Sequence, residues 1–239
     1  MLKAAREAKL RTSWINPDAE YEAALERFVV QSLESPAFLK EANDAVARLA
    51  RLGMLVSLSQ ALLKVASPGV PDYYQGTELF DFSLVDPDNR RPVDYELRKR
   101  LLQQVENGKQ SNFLENLSDG RAKLHIIRQG LAVRRAHPML FHGARYVALH
   151  ADAGREQNVC AFALRHGAHG VVAVAPRLFA HLMEPQGAPL GERAWGEAKL
   201  ALPSGRYRNV LTGEQLAGGE VPLARLLATF PVALLVTEI

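Results

Sequence analysis

The spacing of apolar residues changes at Pro138, and that change limits what this chain can fold into. Before it, apolar residues recur every three or four positions, as in Val46, Leu49, Leu52, Leu55, Val56, Leu62 and Leu63. That is the period of an α-helix buried along one face. After it, short runs of strand character alternate with turn signals. A helical first part of about 140 residues and a β-rich part over 141–239 are therefore expected.

Helices are predicted over 2–10, from Asn16-Pro17 to about Leu33, over 36–66, 93–106 and 120–136, with a weaker one at 111–117. Asn16-Pro17 and Ser35-Pro36 read as N-cap followed by first-turn proline. From Leu52 onward the third helix is apolar on most sides, and Gly53 is its weak point. The last helix carries the stripe Leu124, Ile127 and Leu131 and is ended by Pro138. Val70 to Gln75, rich in Val and Tyr, reads as a short buried strand.

In the second part, Arg145–His150, Gln157–Leu164, Gly170–Ala175, Arg206–Leu211 and Phe230–Thr237 read as strands. Turns are expected at Asp152-Ala-Gly154, His166 to Gly170, Pro203-Ser-Gly205 and Thr212-Gly213. Regularly spaced short strands of this kind predict a small antiparallel, sandwich-like domain.

Composition excludes several classes of function. Hydrophobic residues make up 48% of the 239, so a packed core is expected rather than disorder. The net charge of +3 is spread along helices among acidic residues, with no basic stripe of interleaved aromatics, which argues against nucleic-acid binding. Cys160 stands alone in an apolar run and is expected to pack as a small hydrophobe. The charged start at Met1 does not resemble a signal peptide, and no uninterrupted apolar run looks long enough for a membrane span. A soluble, cytoplasmic protein is the expectation. The seven histidines show no metal spacing and read as surface or helix-end residues. No cofactor motif is present.

The stretch with most ligand-binding potential is Gly69-Val-Pro-Asp-Tyr-Tyr-Gln-Gly-Thr-Glu78, continued by Phe80-Asp-Phe-Ser-Leu-Val-Asp-Pro-Asp-Asn-Arg-Arg-Pro-Val-Asp94. Its loop from Thr77 to Pro92 is longer than ordinary connections, which favours function. Tyr73 and Tyr74 can offer ring faces to a ligand, and Asn89, Arg90 and Arg91 can offer fixed donors. Alternation along a strand would turn the two tyrosines to opposite sides. Asp72, Glu78, Asp81, Asp86 and Asp88 read either as ligand groups or as loop-holding partners of Arg90 and Arg91. Asp86-Pro-Asp88-Asn89 fails as a calcium loop, because Arg91 occupies the glycine position and Leu97 the bidentate glutamate position. Trp14 and Trp195 read as packing residues before ligand platforms.

Gly69 to Glu78 resembles the last barrel strand of the α-amylase superfamily of glycoside hydrolases. The helix ending in Ala132-Val-Arg-Arg-Ala-His-Pro138, followed by a β-domain, is similar to that superfamily's final barrel helix and C-terminal sheet. Asp72 after the proline and Gln75 in place of a second aromatic depart from the general pattern. They resemble one branch, the trehalose-forming transglycosylases. So do the run to Asp94, Arg6 to Trp14 with Asn16-Pro17, Pro138-Met-Leu-Phe141 and Leu202 to Gly213.

The resemblance implies the C-terminal part of a (β/α)8 barrel, with its last strand at about 70–75, over 1–140, and a β-domain over 141–239. It implies an intramolecular transglycosylase that converts the reducing-end α-1,4 linkage of a maltooligosaccharide into an α,α-1,1 linkage. No cofactor is implied, and a trehalose-releasing hydrolase would be the pathway partner. Asp72, Tyr73, Tyr74, Gln75, Glu78, Asp86, Asp88, Asn89, Arg90 and Arg91 become the candidate substrate-binding residues. The catalytic carboxylates of the superfamily sit on earlier strands whose motifs are missing here. A complete barrel needs about 250 residues, and a helix starting uncapped at Met1 suggests a cut end. The chain is therefore expected to be a C-terminal portion, inactive alone. Another α-amylase-type hydrolase or transferase, and a non-catalytic carbohydrate-binding module, are the alternatives.

Overall fold

A computed structural model describes residues 1–83, 88–108 and 113–238, without the side chains of Arg48 and Asp88. The chain forms two compact units, Met1–Ala50 with Ser83–Arg91, and Arg51–Phe82 with Pro92–Ile239. This division does not follow the expected border at 140/141. Buried residues of the later helices and of the β-strands belong to one hydrophobic core.

The first unit holds α1 (Leu2–Ala8), α2 (Ala19–Glu34) and the start of α3 (Pro36–Ala66). The cap of α2 is Asp18, whose carboxylate accepts from Tyr21 N at 3.0 Å, so Asn16 is not the cap. Ser35 Oγ accepts from Phe38 N at 3.4 Å and starts α3 at Pro36 as the sequence predicts. What ties this unit together is polar. Glu22 accepts from Arg6 Nε at 2.8 Å, Arg6 Nη2 at 2.5 Å and Thr12 Oγ1 at 2.6 Å. Thr12 Oγ1 in turn accepts from Asp18 N at 3.0 Å. The Arg6 and Thr12 donors hold the Glu22 carboxyl down at about 2, against the smaller opposing effect of burial. Trp14 lies exposed, with the Arg6 guanidinium 5.0 Å from its ring centre.

Helix α3 runs unbroken through Gly53, a position with open space around it and strong helix formers on both sides. By length and composition it could span a membrane, with a mean hydropathy of 1.4 over 18 residues, contrary to the sequence expectation. Its second half, however, carries Leu55, Leu58, Leu62 and Val65, all fully buried in the core of the second unit.

The second unit adds α4 (Tyr95–Asn107), α5 (Arg121–Ala136) and the single turn α6 (Met139–His142). Asp94 caps α4, its carboxylate accepting from Leu97 N at 2.8 Å. Part of the weak helix expected at 111–117 lies outside the described residues; the rest is a turn leading to a 3-10 turn at Leu117–Asp119. Leu131 is 40% exposed, so the buried face of α5 runs instead through Ile126, Ile127, Gly130 and Val133. His125 is 2% exposed between Phe113 and Phe230, which corrects its reading as a surface residue.

Six strands follow: β1 (Arg145–Leu149), β2 (Val159–His166), β3 (His169–Pro176), β4 (Lys199–Asn209), β5 (Gln215–Pro222) and β6 (Ala233–Glu238). They form one antiparallel sheet in the order β1-β2-β3-β6-β4-β5, where a sandwich was expected. The sheet curls, so that Ala151 bridges to Leu200 and Lys199 N donates to Asp152 Oδ1 at 2.6 Å. Val171 to Ala175 of β3 are all buried, as in a strand covered on both faces. Pro203-Ser-Gly205 is no turn but a register shift inside β4. A side chain at Gly218 on β5 would collide with the Pro203 carbonyl there. Two single turns, α7 (Gly191–Trp195) and α8 (Leu223–Leu226), cover the sheet, and Trp195 is buried with Nε1 donating to Pro189 O at 2.8 Å. Cys160 is half-buried rather than enclosed.

Candidate functional site

The segment from Gly69 to Phe82 is where site and fold meet, and it is not a strand. Among the described residues no strand precedes β1, so Val70 to Gln75 has no ladder partner. Strand backbone needs such partners. Here the helices supply them through four cationic side chains. Arg134 of α5 donates to the carbonyls of Val65 at 3.0 Å, Ser67 at 2.9 Å and Gly69. Lys64 of α3 donates to Asp72 O at 2.7 Å, and Arg98 of α4 to Gly76 O at 2.8 Å. Lys123 of α5 donates to Leu79 O at 2.9 Å. Gly69 N closes the set by donating to Phe141 O at 3.0 Å.

The geometry follows from helix periodicity. Lys123, Ile127, Gly130 and Arg134 recur at steps of four, three and four, which places them on one face of α5. Gly130 lets that face approach α3, because a Cβ there would lie 2.6 Å from Val65 Cγ2. Arg134, one turn further, then reaches the last carbonyls of α3, which have no partner inside the helix.

The candidate residues divide between the two units. Asp72, Tyr73, Tyr74, Gln75 and Glu78 lie in the second. The Tyr73 ring packs under Lys64, with Nζ 4.8 Å from its centre, while its hydroxyl is buried without a partner. Burial pushes the Tyr73 phenol up to about 12, against the pull of the Arg134 charge. Tyr74 is exposed, as are Asp72 and Gln75. Glu78 faces Arg98 at 3.6 Å, an ion pair just beyond hydrogen-bond reach, where Arg90 or Arg91 was the expected partner. Burial pulls the Lys123 ammonium below the usual lysine value; the Lys64 charge adds to this, and Asp81 and Glu78 oppose it.

Asn89, Arg90 and Arg91 lie in the first unit. Asn89 and Arg90 belong to a 3-10 turn at Asp88–Arg90, Asn89 is half-buried, and both arginines are exposed. Asp86 lies outside the described residues, and of Asp88 only the backbone is described.

Between α3, α5 and the pinned segment lies a pocket of about 110 Å³ with polar groups from Ser57, Gln60, Lys64, Tyr73, Thr77 and Lys123. That is below the roughly 300–1,000 Å³ of pockets that enclose a small ligand. A sugar chain would need further walls. An open hollow of about 680 Å³ beside the sheet is edged by Asp152, Glu192, Glu197 and Lys199. Another, of about 280 Å³, is edged by His137, His166 and His169. Among the described residues no group of three or more His, Cys, Asp or Glu is placed to hold a metal ion. The pinning cations Lys64, Arg98, Lys123 and Arg134 were not anticipated from sequence. A charge at a core-facing step of an apolar stripe, as on α5, is the signal that could have found them.

No family model matches the chain. A protein of Mycobacterium tuberculosis named as a maltooligosyl trehalose synthase is 36% identical over 236 residues, which is 99% of this chain and 27% of that protein. The structure of maltooligosyltrehalose synthase from Arthrobacter ramosus is 34% identical with a TM-score of 0.80, over 99% of this chain and 29% of that one. A hypothetical maltooligosyl trehalose synthase of Sulfolobus tokodaii is 25% identical with a TM-score of 0.67, over 99% and 28%. The chain thus spans little more than a quarter of the length of these relatives.

Proposed function

This chain is similar along 99% of its length to the C-terminal part of maltooligosyl trehalose synthases, and from that premise we propose that it supplies one wall of such an enzyme's sugar cleft. The observation that carries the reading is the end-to-end match, which takes in the whole run from Gly69 to Asp94. In the complete enzyme, Val70 to Gln75 would be the last strand of a (β/α)8 barrel, with neighbouring strands beside it. The pinned carbonyls support this reading, because they fix the segment's backbone against the helices without a ladder partner.

The reaction assigned is an intramolecular transglycosylation on a maltooligosaccharide, converting its reducing-end α-1,4 linkage to α,α-1,1. Retaining chemistry of this type uses two carboxyl groups about 5–5.5 Å apart, one attacking and one exchanging protons. Glu78 lies 3.6 Å from Arg98 and is not assigned either role. This chain instead positions the substrate. The exposed Tyr74 ring offers an apolar face to a sugar, and Asn89, Arg90 and Arg91 offer donors for hydroxyls. The trehalosyl product is the substrate of a trehalose-releasing hydrolase, and the cytoplasm is the compartment this pathway implies.

The test is incubation of the pure 239-residue chain with maltopentaose, reading reducing ends and trehalosyl product. No product is expected from the chain alone. Product formed by it would overturn the division of labour, and release of new reducing ends by the complete enzyme would make it a hydrolase instead.

A further inference from the structure

The pocket between α3, α5 and the pinned segment is lined by two cationic side chains and no carboxylate. Ser57, Gln60 and Lys64 recur at steps of three and four on α3, and Lys123 and Ile127 at a step of four on α5, so each helix turns one row toward it. These residues, with Tyr73 and Thr77, all belong to the second unit. Lys64 is exposed and Lys123 half-buried. Each ammonium gives one N–H to a carbonyl, that of Asp72 at 2.7 Å for Lys64 and that of Leu79 at 2.9 Å for Lys123. Further donors remain on both.

Tyr73 completes the lining, and its hydroxyl is buried without a partner, which is destabilising unless a ligand meets it. With its phenol pushed up to about 12, that hydroxyl stays protonated and can donate. Lys123 is disfavoured as a cation by burial first and by the Lys64 charge second, with Asp81 and Glu78 opposing. An anion seated between the two lysines would offset both effects. The volume of about 110 Å³ is several times the roughly 10–15 Å³ that one water needs, and less than a sugar chain needs. A maltooligosaccharide is uncharged and has no use for paired ammonium groups.

We propose that Lys64, Lys123 and Tyr73 hold a small oxyanion of the phosphate class, either free phosphate or the phosphate group of a monoester. Lysine acts on such oxygens as a compact charge with rotatable donors, and the Tyr73 hydroxyl adds a neutral one. This site is separate from the sugar-binding residues assigned above, since Tyr74, Asn89, Arg90 and Arg91 do not line it.

The experiment titrates inorganic phosphate into the 239-residue chain by calorimetry, with chloride holding the ionic strength constant. One saturable site with a Kd on the order of 1 mM is expected. Lys64→Met and Lys123→Met should each weaken it by about tenfold, and Tyr73→Phe by about threefold. Lys99→Met, on the exposed side of α4, should leave it unchanged. No saturation by about 50 mM phosphate overturns the proposal. So does binding that the three site variants leave undiminished, which is an adventitious ion only. Should the lysine variants fail to fold, the wild-type chain decides. The Lys123 side-chain titration followed by NMR should move to higher pH with phosphate present, and an unmoved midpoint overturns the proposal. Glucose 1-phosphate separates the two sources: Tyr73-dependent binding assigns a monoester, and its exclusion assigns the free ion. Displacement of phosphate by maltopentaose would make the pocket part of the sugar cleft and overturns the anion site.

Discussion

Gly130 of α5 lies so close to Val65 of α3 that a Cβ on it would sit 3.0 Å from Val65 Cβ and 2.6 Å from Val65 Cγ2. Val65 is fully buried and cannot give way. Gly130→Ala gains up to about 1 kcal/mol of helix propensity but incurs overpacking of about 1–3 kcal/mol, so the sum is destabilising. Urea unfolding should show a lower midpoint. Pairing it with Val65→Ala should recover part of the loss, a non-additivity expected only of residues in contact.

Arg134 should control order in the pinned segment rather than global folding. Arg134→Met removes donors from the carbonyls of Val65, Ser67 and Gly69 together. Amide exchange over 69–82 should rise by about tenfold or more while β3 stays protected. Arg134→Lys should recover little, because an ammonium cannot reproduce the planar fork. Equal exchange in wild type and Met variant would remove the clamp.

His125 makes stability fall in mild acid. Its Nε2 donates to Leu211 O at 2.9 Å, and Nδ1 is buried without a partner. Burial lowers its pKa, the Leu211 carbonyl opposes this, and the Arg128 charge adds to it. Below the unfolded value of about 6.5 the unfolded chain therefore binds more protons, so stability drops as pH falls through that point. The drop continues until the folded pKa is reached. Urea midpoints at several pH values should show this for wild type and a flatter dependence for His125→Gln.

Glu22 should act in the same sense but at lower pH. Its folded pKa of about 2 lies below the ordinary 4.5, so its contribution is complete above 4.5 and is lost as pH falls through 2. Arg6→Ala removes the largest cause of the depression. A carboxyl titration followed by NMR should then move up towards 4.5, and a Glu22 midpoint that stays near 2 would place the cause elsewhere.

The sequence made α3 legible because its period, its Ser35-Pro36 start and its Pro68-Gly69 end all agree. Strands β2, β3 and β6 were legible for a similar reason, as uninterrupted apolar runs between turns. The first half of β4 and all of β5 were missed. Pro203-Ser-Gly205 reads locally as a turn, although in the sheet it accommodates a register shift, and nothing in the run 215–222 marks a strand by apolar alternation. Val70 to Gln75 failed in the other direction, since a strand is defined by neighbours that no local pattern contains. The Tyr73–Lys64 and Glu78–Arg98 pairs were illegible because they join helices to a segment across distances in sequence that periodicity does not encode.

The curl that brings Ala151 to Leu200 also bears on aggregation. An open sheet offers its outermost strands as templates for another chain. Here one rim turns back onto β4, which leaves β5 as the main exposed rim. That strand carries Gly218-Gly219 and Glu220 and ends at Pro222, a sequence poorly suited to recruiting a seventh strand. The sheet's exposed rim is therefore a poor template for another chain even in concentrated solution.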